Sequence, residues 1–148
     1  MERTWRIREA TTEDADALTK CMQSAYSPYR DRMDGVRLPP MDADYLSEIK
    51  NYPTWVVESD GIIRGGLIMS FENDQASIAN IAVDPECQGQ GIGGALMKLA
   101  ESKAKEDSFS ELHLTTHVLL HENLALYRHL GWKETSRNDN QVFMKKEI

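Results

Sequence analysis

The sequence predicts an α+β fold, a central mixed sheet of about six to seven strands flanked by about four helices. Three observations carry that expectation. Turn signals between residues 54 and 83 mark a three-strand antiparallel meander; at Asp84 the chain switches to glycine loop, helix, strand and helix; and the C-terminus reads as a closing hairpin. At 148 residues the chain has the length of one domain, and a single domain over residues 1–148 is expected, with roughly two thirds of its unfolded surface buried.

Trp5 to Glu9 alternates apolar and charged residues, the period of a half-buried strand. Thr12, Glu13 and Asp14 start a helix in which Ala15, Leu18, Cys21, Met22 and Ala25 recur at helical spacing to about Tyr26. Pro28, Gly35, Pro39 and Pro40 make residues 27–41 a loop, after which Asp42 opens a short helix through Tyr45, Leu46 and Ile49. The stretches 54–58 and 65–71 flank Ser59-Asp60-Gly61, whose Asp-Gly pair is a hairpin signal. Asn73-Asp74 turns the chain again. Ala76 to Val83 is then a third strand, apolar enough to be central and buried on both faces. Ile92, Leu96, Leu99, Ala100 and Lys103 share one helix face, Leu112 to Thr116 is a strand, and a second helix ends at Gly131 as its cap. Trp132 onward with residues 141–146 closes the hairpin.

Composition narrows the function classes. Hydrophobic residues at 41% and charged residues at 28% are a globular balance, and no apolar run is long enough to span a bilayer. The N-terminus mixes charge with apolar residues and lacks a secretory pattern, so a cytoplasmic protein without a membrane role is expected. A formal net charge of -7 argues against nucleic acid, whose phosphates need Lys and Arg, and is compatible with cationic amines. Cys21 and Cys87 form no C-x-x-C pattern and read as thiols.

The most informative segment is Asp84-Pro-Glu-Cys-Gln-Gly-Gln-Gly-Ile-Gly-Gly94, between the most apolar strand and an amphipathic helix. Glycines let backbone approach a ligand, and the helix start adds about half a positive charge, so the loop suits a phosphate or pyrophosphate. A P-loop needs Lys and Ser or Thr after the last glycine, and Ala95-Leu96 stand there instead. Gly89, Gly91 and Gly94 match G-x-G-x-x-G literally, but antiparallel strands precede them, and too little chain follows for repeated βα units. A third reading, a pyrophosphate loop for coenzyme A, rests on a resemblance carried by the residues of the loop itself.

Gln88-Gly89-Gln90-Gly91-Ile92-Gly93 resembles the Gln/Arg-x-x-Gly-x-Gly/Ala signature of the GNAT superfamily of acyl-CoA N-acyltransferases, as does the preceding I-A-V-D-P-E, and the order of elements fits nearly the whole chain. The resemblance implies a GNAT-like fold with acetyl-CoA as co-substrate and no metal. It also implies direct transfer of the acetyl group to a primary amine, on a small molecule or on a peptide or protein. Cofactor contacts would come from Ile81, Ala82, Val83, Gln88, Gly89, Gln90, Gly91, Ile92, Gly93 and Gly94, with a backbone N–H, that of Val83, polarising the acetyl carbonyl. Glu122-Asn-Leu-Ala-Leu-Tyr-Arg-His-Leu-Gly-Trp132 resembles the family's next helix, which makes Tyr127 the general acid at the thioester sulfur. Trp132 departs from the usual Phe or Tyr. Asn123 stands four residues before Tyr127 where the common form has about seven; the resemblance makes it a cofactor contact, its place at a helix start makes it an N-cap, and the two roles can hold together.

Transfer of a proton from a phenol of pKa about 10 to a thiolate of about 8.5 is uphill by roughly 2 kcal/mol, so the acid should assist without being indispensable. Glu72, Asp84 and His117 are base candidates by proximity to strand ends, alongside a water chain. His113, His117 and His121 recur at intervals of four, yet the first two fall on a strand and no carboxylate or cysteine completes a ligand set. Cys87 precedes a helix N-terminus that could lower its pKa, the setting for a covalent acyl-cysteine that direct transfer does not need. Residues 24–45, with Tyr26, Tyr29, Arg30 and Arg32, occupy the place where the family builds its acceptor pocket. A non-catalytic acyl-CoA-binding sensor on the same fold stays open as the alternative, and a homodimer stays open as an assembly.

Overall fold

The computed structural model describes residues 4–29 and 39–148. Its strands are β1 (Trp5–Glu9), β2 (Thr54–Ser59), β3 (Ile62–Ser70), β4 (Ser77–Val83), β5 (Glu111–His117), β6 (Lys133–Arg137) and β7 (Gln141–Glu147). They form one sheet in the order β1-β2-β3-β4-β5-β7-β6, antiparallel except for the β4–β5 pair. The helices are α1 (Ala15–Tyr26), the single turn α2 (Pro39–Asp42), α3 (Tyr45–Asn51), α4 (Ile92–Glu106) and α5 (His121–His129).

Alternation along the strands sorts side chains to two faces. Val57, Leu67 and Met69 meet Ile92, Leu96 and Ala100 of α4 and Leu124 of α5 on one side. Val56, Ile68 and Ala82 meet Leu18, Cys21 and Met22 of α1 and Tyr45 of α3 on the other. A sheet covered on both faces explains why β2 and β3 read as apolar runs in the sequence. The 3-10 turn Thr12–Asp14 that leads into α1 is fixed by a capping box: the Thr11 N–H donates to Asp14 Oδ2 at 2.8 Å, and Arg8 from β1 clamps both oxygens of the same carboxylate at 2.8 Å. That clamp holds the Asp14 carboxyl down at about 2, the Arg8 hydrogen bonds being the main cause.

Two expectations are corrected here. The helix expected to open at Asp42 begins at Tyr45, and Asp44 is its cap, accepting the Ser47 N–H at 3.2 Å; Asp42 ends the separate turn α2. β4 sits at the centre of the sheet but is not buried on both faces: Ile78 and Ala82 are buried, Ile81 and Val83 only partly, and Ala79 is exposed. The reason lies in pairing. β4 and β5 share only two positions, Ser77 with His113 and Ile78 with Leu114, before they part. At that point the β3–β4 register slips between Ile68 and Met69, which makes Ala79 a bulged residue. A bulge bends and twists its strand, and here it turns β4 away from β5.

Candidate active site

The parting of β4 from β5 opens cavities in the middle of the sheet. One, of about 460 Å³, lies between the far end of β4, the start of α4 and the face of α5. Of the residues singled out in the sequence, Ile81, Ala82, Val83, Gln88, Gly89, Gly91, Ile92, Gly93, Gly94, Asn123 and Tyr127 border it; Gln90 does not. Ile92 contributes backbone only, because its side chain is 1% exposed and packs in the core.

Glycine at 89 and 91 is required by backbone, with φ of +86° and +83°, the left-handed region that other residues avoid. Gly93 and Gly94 lie in the first turn of α4 at ordinary φ, where each weakens a helix by about 1 kcal/mol relative to Ala. A Cβ would meet nothing within 4 Å at 89, 91 or 94, and only Val83 Cγ2 at 3.8 Å at 93. Space is therefore kept free at all four positions, and no side chain caps α4. The N–H groups at the start of this fifteen-residue helix meet no capping side chain, an arrangement suited to an anion.

Tyr127 stands on the α5 wall of this cavity, 9% exposed, its ring packed on Trp132 with centroids 6.1 Å apart. Gly131, at φ +98°, turns the chain so that the Trp132 N–H donates back to the Tyr127 carbonyl at 2.9 Å, which docks Trp132 beneath the helix. The Tyr127 hydroxyl has no hydrogen-bond partner among the described residues. Burial, with a smaller contribution from Tyr29, pushes the phenol up to about 12. Full proton transfer to a free thiolate near 8.5 is then uphill by about 5 kcal/mol, more than the sequence alone suggested. Such a phenol keeps its proton at any working pH and acts chiefly as a hydrogen-bond donor.

Asn123 is not an N-cap. Leu120 holds that place, and Asn123 is three residues into α5, facing the cavity.

A second cavity, of about 870 Å³, opens on the other side of the strand gap between α3, β5 and residues 138–141. Tyr26, at the end of α1, borders both cavities. Two residues here were not legible as site residues in the sequence, Asn80 and Glu48, whereas Tyr45 closes the 24–45 segment expected at the acceptor pocket. The Glu48 carboxylate has no ion-pair partner among the described residues, and burial together with Asp44 raises its pKa. Of the base candidates, Asp84 is occupied in the turn, accepting the Glu86 N–H at 3.0 Å and Arg64 at 3.1 Å. Glu72 is exposed and outside both cavities. His117 borders the second cavity, but its Nδ1 accepts the Leu119 N–H at 3.1 Å, so the neutral ring carries its proton on Nε2 and presents a donor there.

His113 sits 3.3 Å from Glu111, so it and His117 are engaged separately and do not converge. Cys87 borders the first cavity at its loop end, whereas Cys21 is buried in α1, where burial pushes its thiol up to about 12. Arg30 and Arg32 lie outside the described residues.

A sheet that parts beside a glycine-lined helix start, with a buried phenol on the wall of the cleft and a second cavity behind it, is an arrangement suited to a phosphorylated cofactor and a second substrate. The sequence pattern of the acetyltransferase (GNAT) family matches residues 16–132. The uncharacterized N-acetyltransferase YjgM of Escherichia coli (strain K12) is 27% identical, over 96% of this chain and 94% of its own. The S-alkylcysteine N-acetyltransferase of Bacillus subtilis (strain 168) is 31% identical, over 86% of this chain and 78% of its own. The crystal structure of the PaiA N-acetyltransferase of Thermoplasma acidophilum in complex with coenzyme A superposes with a TM-score of 0.84 at 17% identity, covering 99% of this chain and 100% of that one. The chain belongs to the acetyltransferase (GNAT) family, and it is an acetyl-CoA-dependent N-acetyltransferase.

Proposed function

We propose that the 460 Å³ cavity binds acetyl-CoA and the 870 Å³ cavity its amine acceptor, the two meeting at the gap between β4 and β5. The observation that carries this is the Tyr127 hydroxyl, unpartnered among the described residues on the wall of a cleft whose glycines are held open. The pyrophosphate sits on the N–H groups of Gly89 to Gly94, the pantetheine arm runs along Ile81 to Val83, where β4 has no partner on its β5 side, and Asn123 adds a polar contact.

The amine nitrogen attacks the acetyl carbonyl carbon, forming a C–N bond as the C–S bond breaks. The Val83 N–H stabilises the oxyanion, the departing thiolate takes a hydrogen bond from Tyr127 and its proton from solvent, and the amine loses one proton. Glu48, whose pKa is raised by burial, supplies the acceptor cavity with a carboxylate that attracts an ammonium and can take up the proton it must shed before its nitrogen attacks, a loss that precedes the one proton given up as the amide forms. The acceptor is a small cationic amine, as the free amine of an S-alkylcysteine is for the Bacillus relative. The net charge of -7 and the lack, among the described residues, of a helix long and apolar enough to cross a membrane support a cytoplasmic protein that binds no nucleic acid. One domain, residues 1–148, carries both cavities, and nothing in the reaction calls for a metal.

Calorimetry with acetyl-CoA tests the reading. Wild type binds; Gly91→Glu, which sets a carboxylate against the pyrophosphate, loses at least 100-fold in affinity, or about 2.7 kcal/mol. Gly91→Asn, which tolerates the left-handed backbone without adding charge, loses less. Absence of wild-type binding rejects the coenzyme A site.

A further inference from the structure

Asn80 and two tyrosines form a chain of hydrogen bonds whose direction is fixed by its last member. Tyr45 Oη lies within hydrogen-bond reach of the Pro40 carbonyl oxygen. A carbonyl can only accept, so the Tyr45 hydroxyl donates. Its oxygen is then free to accept, and Asn80 Nδ2 donates to it at 3.1 Å. That orientation turns Asn80 Oδ1 toward Tyr26, 3.3 Å away, and an amide oxygen likewise only accepts. Tyr26 must therefore donate its proton to Asn80. What remains on Tyr26 is an oxygen with lone pairs and no proton to offer, at the one side chain in this chain of bonds that borders both cavities.

We infer that the Tyr26 hydroxyl oxygen receives an N–H of the acceptor amine and sets its nitrogen against the thioester, with Asn80 as the positioning residue that keeps Tyr26 facing that way. The inference rests on the acetyl-CoA reading above. A protonless oxygen selects a group that brings its own hydrogens, as an amine does, and disfavours groups that only accept, such as a carbonyl or an ether. Tyr26 serves as a neutral acceptor of a hydrogen bond and not as a base, because burial, before the smaller effects of Tyr127 and Tyr45, raises its own pKa well above that of a free phenol. The bulge at Ala79 serves the same end: with one residue more or fewer before it, Asn80 would face the opposite side of the sheet.

The test is thiol release from saturating acetyl-CoA with four probes: methylamine, 1,4-diaminobutane, L-alanine amide and S-methyl-L-cysteine. Tyr26→Phe keeps the ring and removes only the oxygen. It is expected to raise the amine KM about tenfold while the acetyl-CoA Kd, by calorimetry, stays within twofold of wild type. Asn80→Leu, which frees the Tyr26 proton, shifts KM in the same direction; Asn80→Asp, which still accepts from Tyr26, restores most of it. An unchanged amine KM in Tyr26→Phe overturns the inference, as does acetyl-CoA binding without turnover of any probe. Failure of wild type to bind acetyl-CoA instead removes the reading beneath it.

Discussion

The sheet has a closed half and an open half, and glycine marks both for opposite reasons. In the closed half, β1 to β4 pair along most of their length, and Gly65 and Gly66 of β3 stand where neighbours press close. A Cβ at 65 would lie 3.0 Å from the Ala82 carbonyl oxygen, and one at 66 would lie 2.7 Å from Leu18 Cδ1 and 3.1 Å from Met22 Cε, both on α1. In the open half, Gly93 and Gly94 face free space and cost helix stability. Empty space beside a residue that weakens its own helix is hard to account for by folding and natural for a ligand. The closed half should therefore answer to stability measurements and the open half to binding and turnover.

Gly66→Val is the harshest challenge to the closed half. Two methyl groups driven into the α1 face should destabilise by about 3 kcal/mol, read as a lowered urea midpoint, with acetyl-CoA affinity retained by the folded fraction. In the open half, Tyr127→Phe should lower kcat by about 10- to 100-fold, the loss of a hydrogen bond to a developing thiolate, without moving Tm by more than a degree or two. A drop beyond 10⁴-fold would mean that Tyr127 transfers its proton outright. Asp14→Asn returns to the closed half and should remove about 2 kcal/mol at pH 6. The folded-state pKa lies below the unfolded one, so this stability is present above about pH 4 and fades as pH falls toward 2; denaturation curves of wild type and variant should converge there. The smallest effect is the most discriminating. Gly94→Ala should raise stability by about 1 kcal/mol and weaken acetyl-CoA binding severalfold, and a gain in stability with unchanged affinity would show that the space beside residue 94 is not ligand space.

What was legible in the sequence follows the same division. Elements set by local pattern were placed well: β1 spans the residues whose alternation marked it, and the Asp60-Gly61 hairpin turns where the dipeptide stands. The glycine loop's place beside a cavity at the start of α4 was legible because its glycine spacing already demands unusual backbone. Asn80 and Glu48 were not, because neither belongs to a spacing pattern: one sits on a strand and one on a helix, and only tertiary packing brings them to the same cavity. β4 was misread as buried on both faces for a related reason. Its apolar run is genuine, but the bulge at Ala79 is a property of its pairing with β3 and leaves no mark in the run itself. Asp42 and Asp44 are equally good caps by type, and residue identity alone could not choose between them.

The two-position contact between β4 and β5 has a consequence for the life of the protein. Two strand edges face each other inside the fold, flanked by β3 and β7, and so are shielded from the foreign strands that exposed edges recruit. On the proposed reading, an acyl-CoA bound along the free side of β4 would add to folding stability by mass action. At a hundred times its dissociation constant a ligand adds about 2.7 kcal/mol to stability. The melting temperature would then rise with acetyl-CoA concentration.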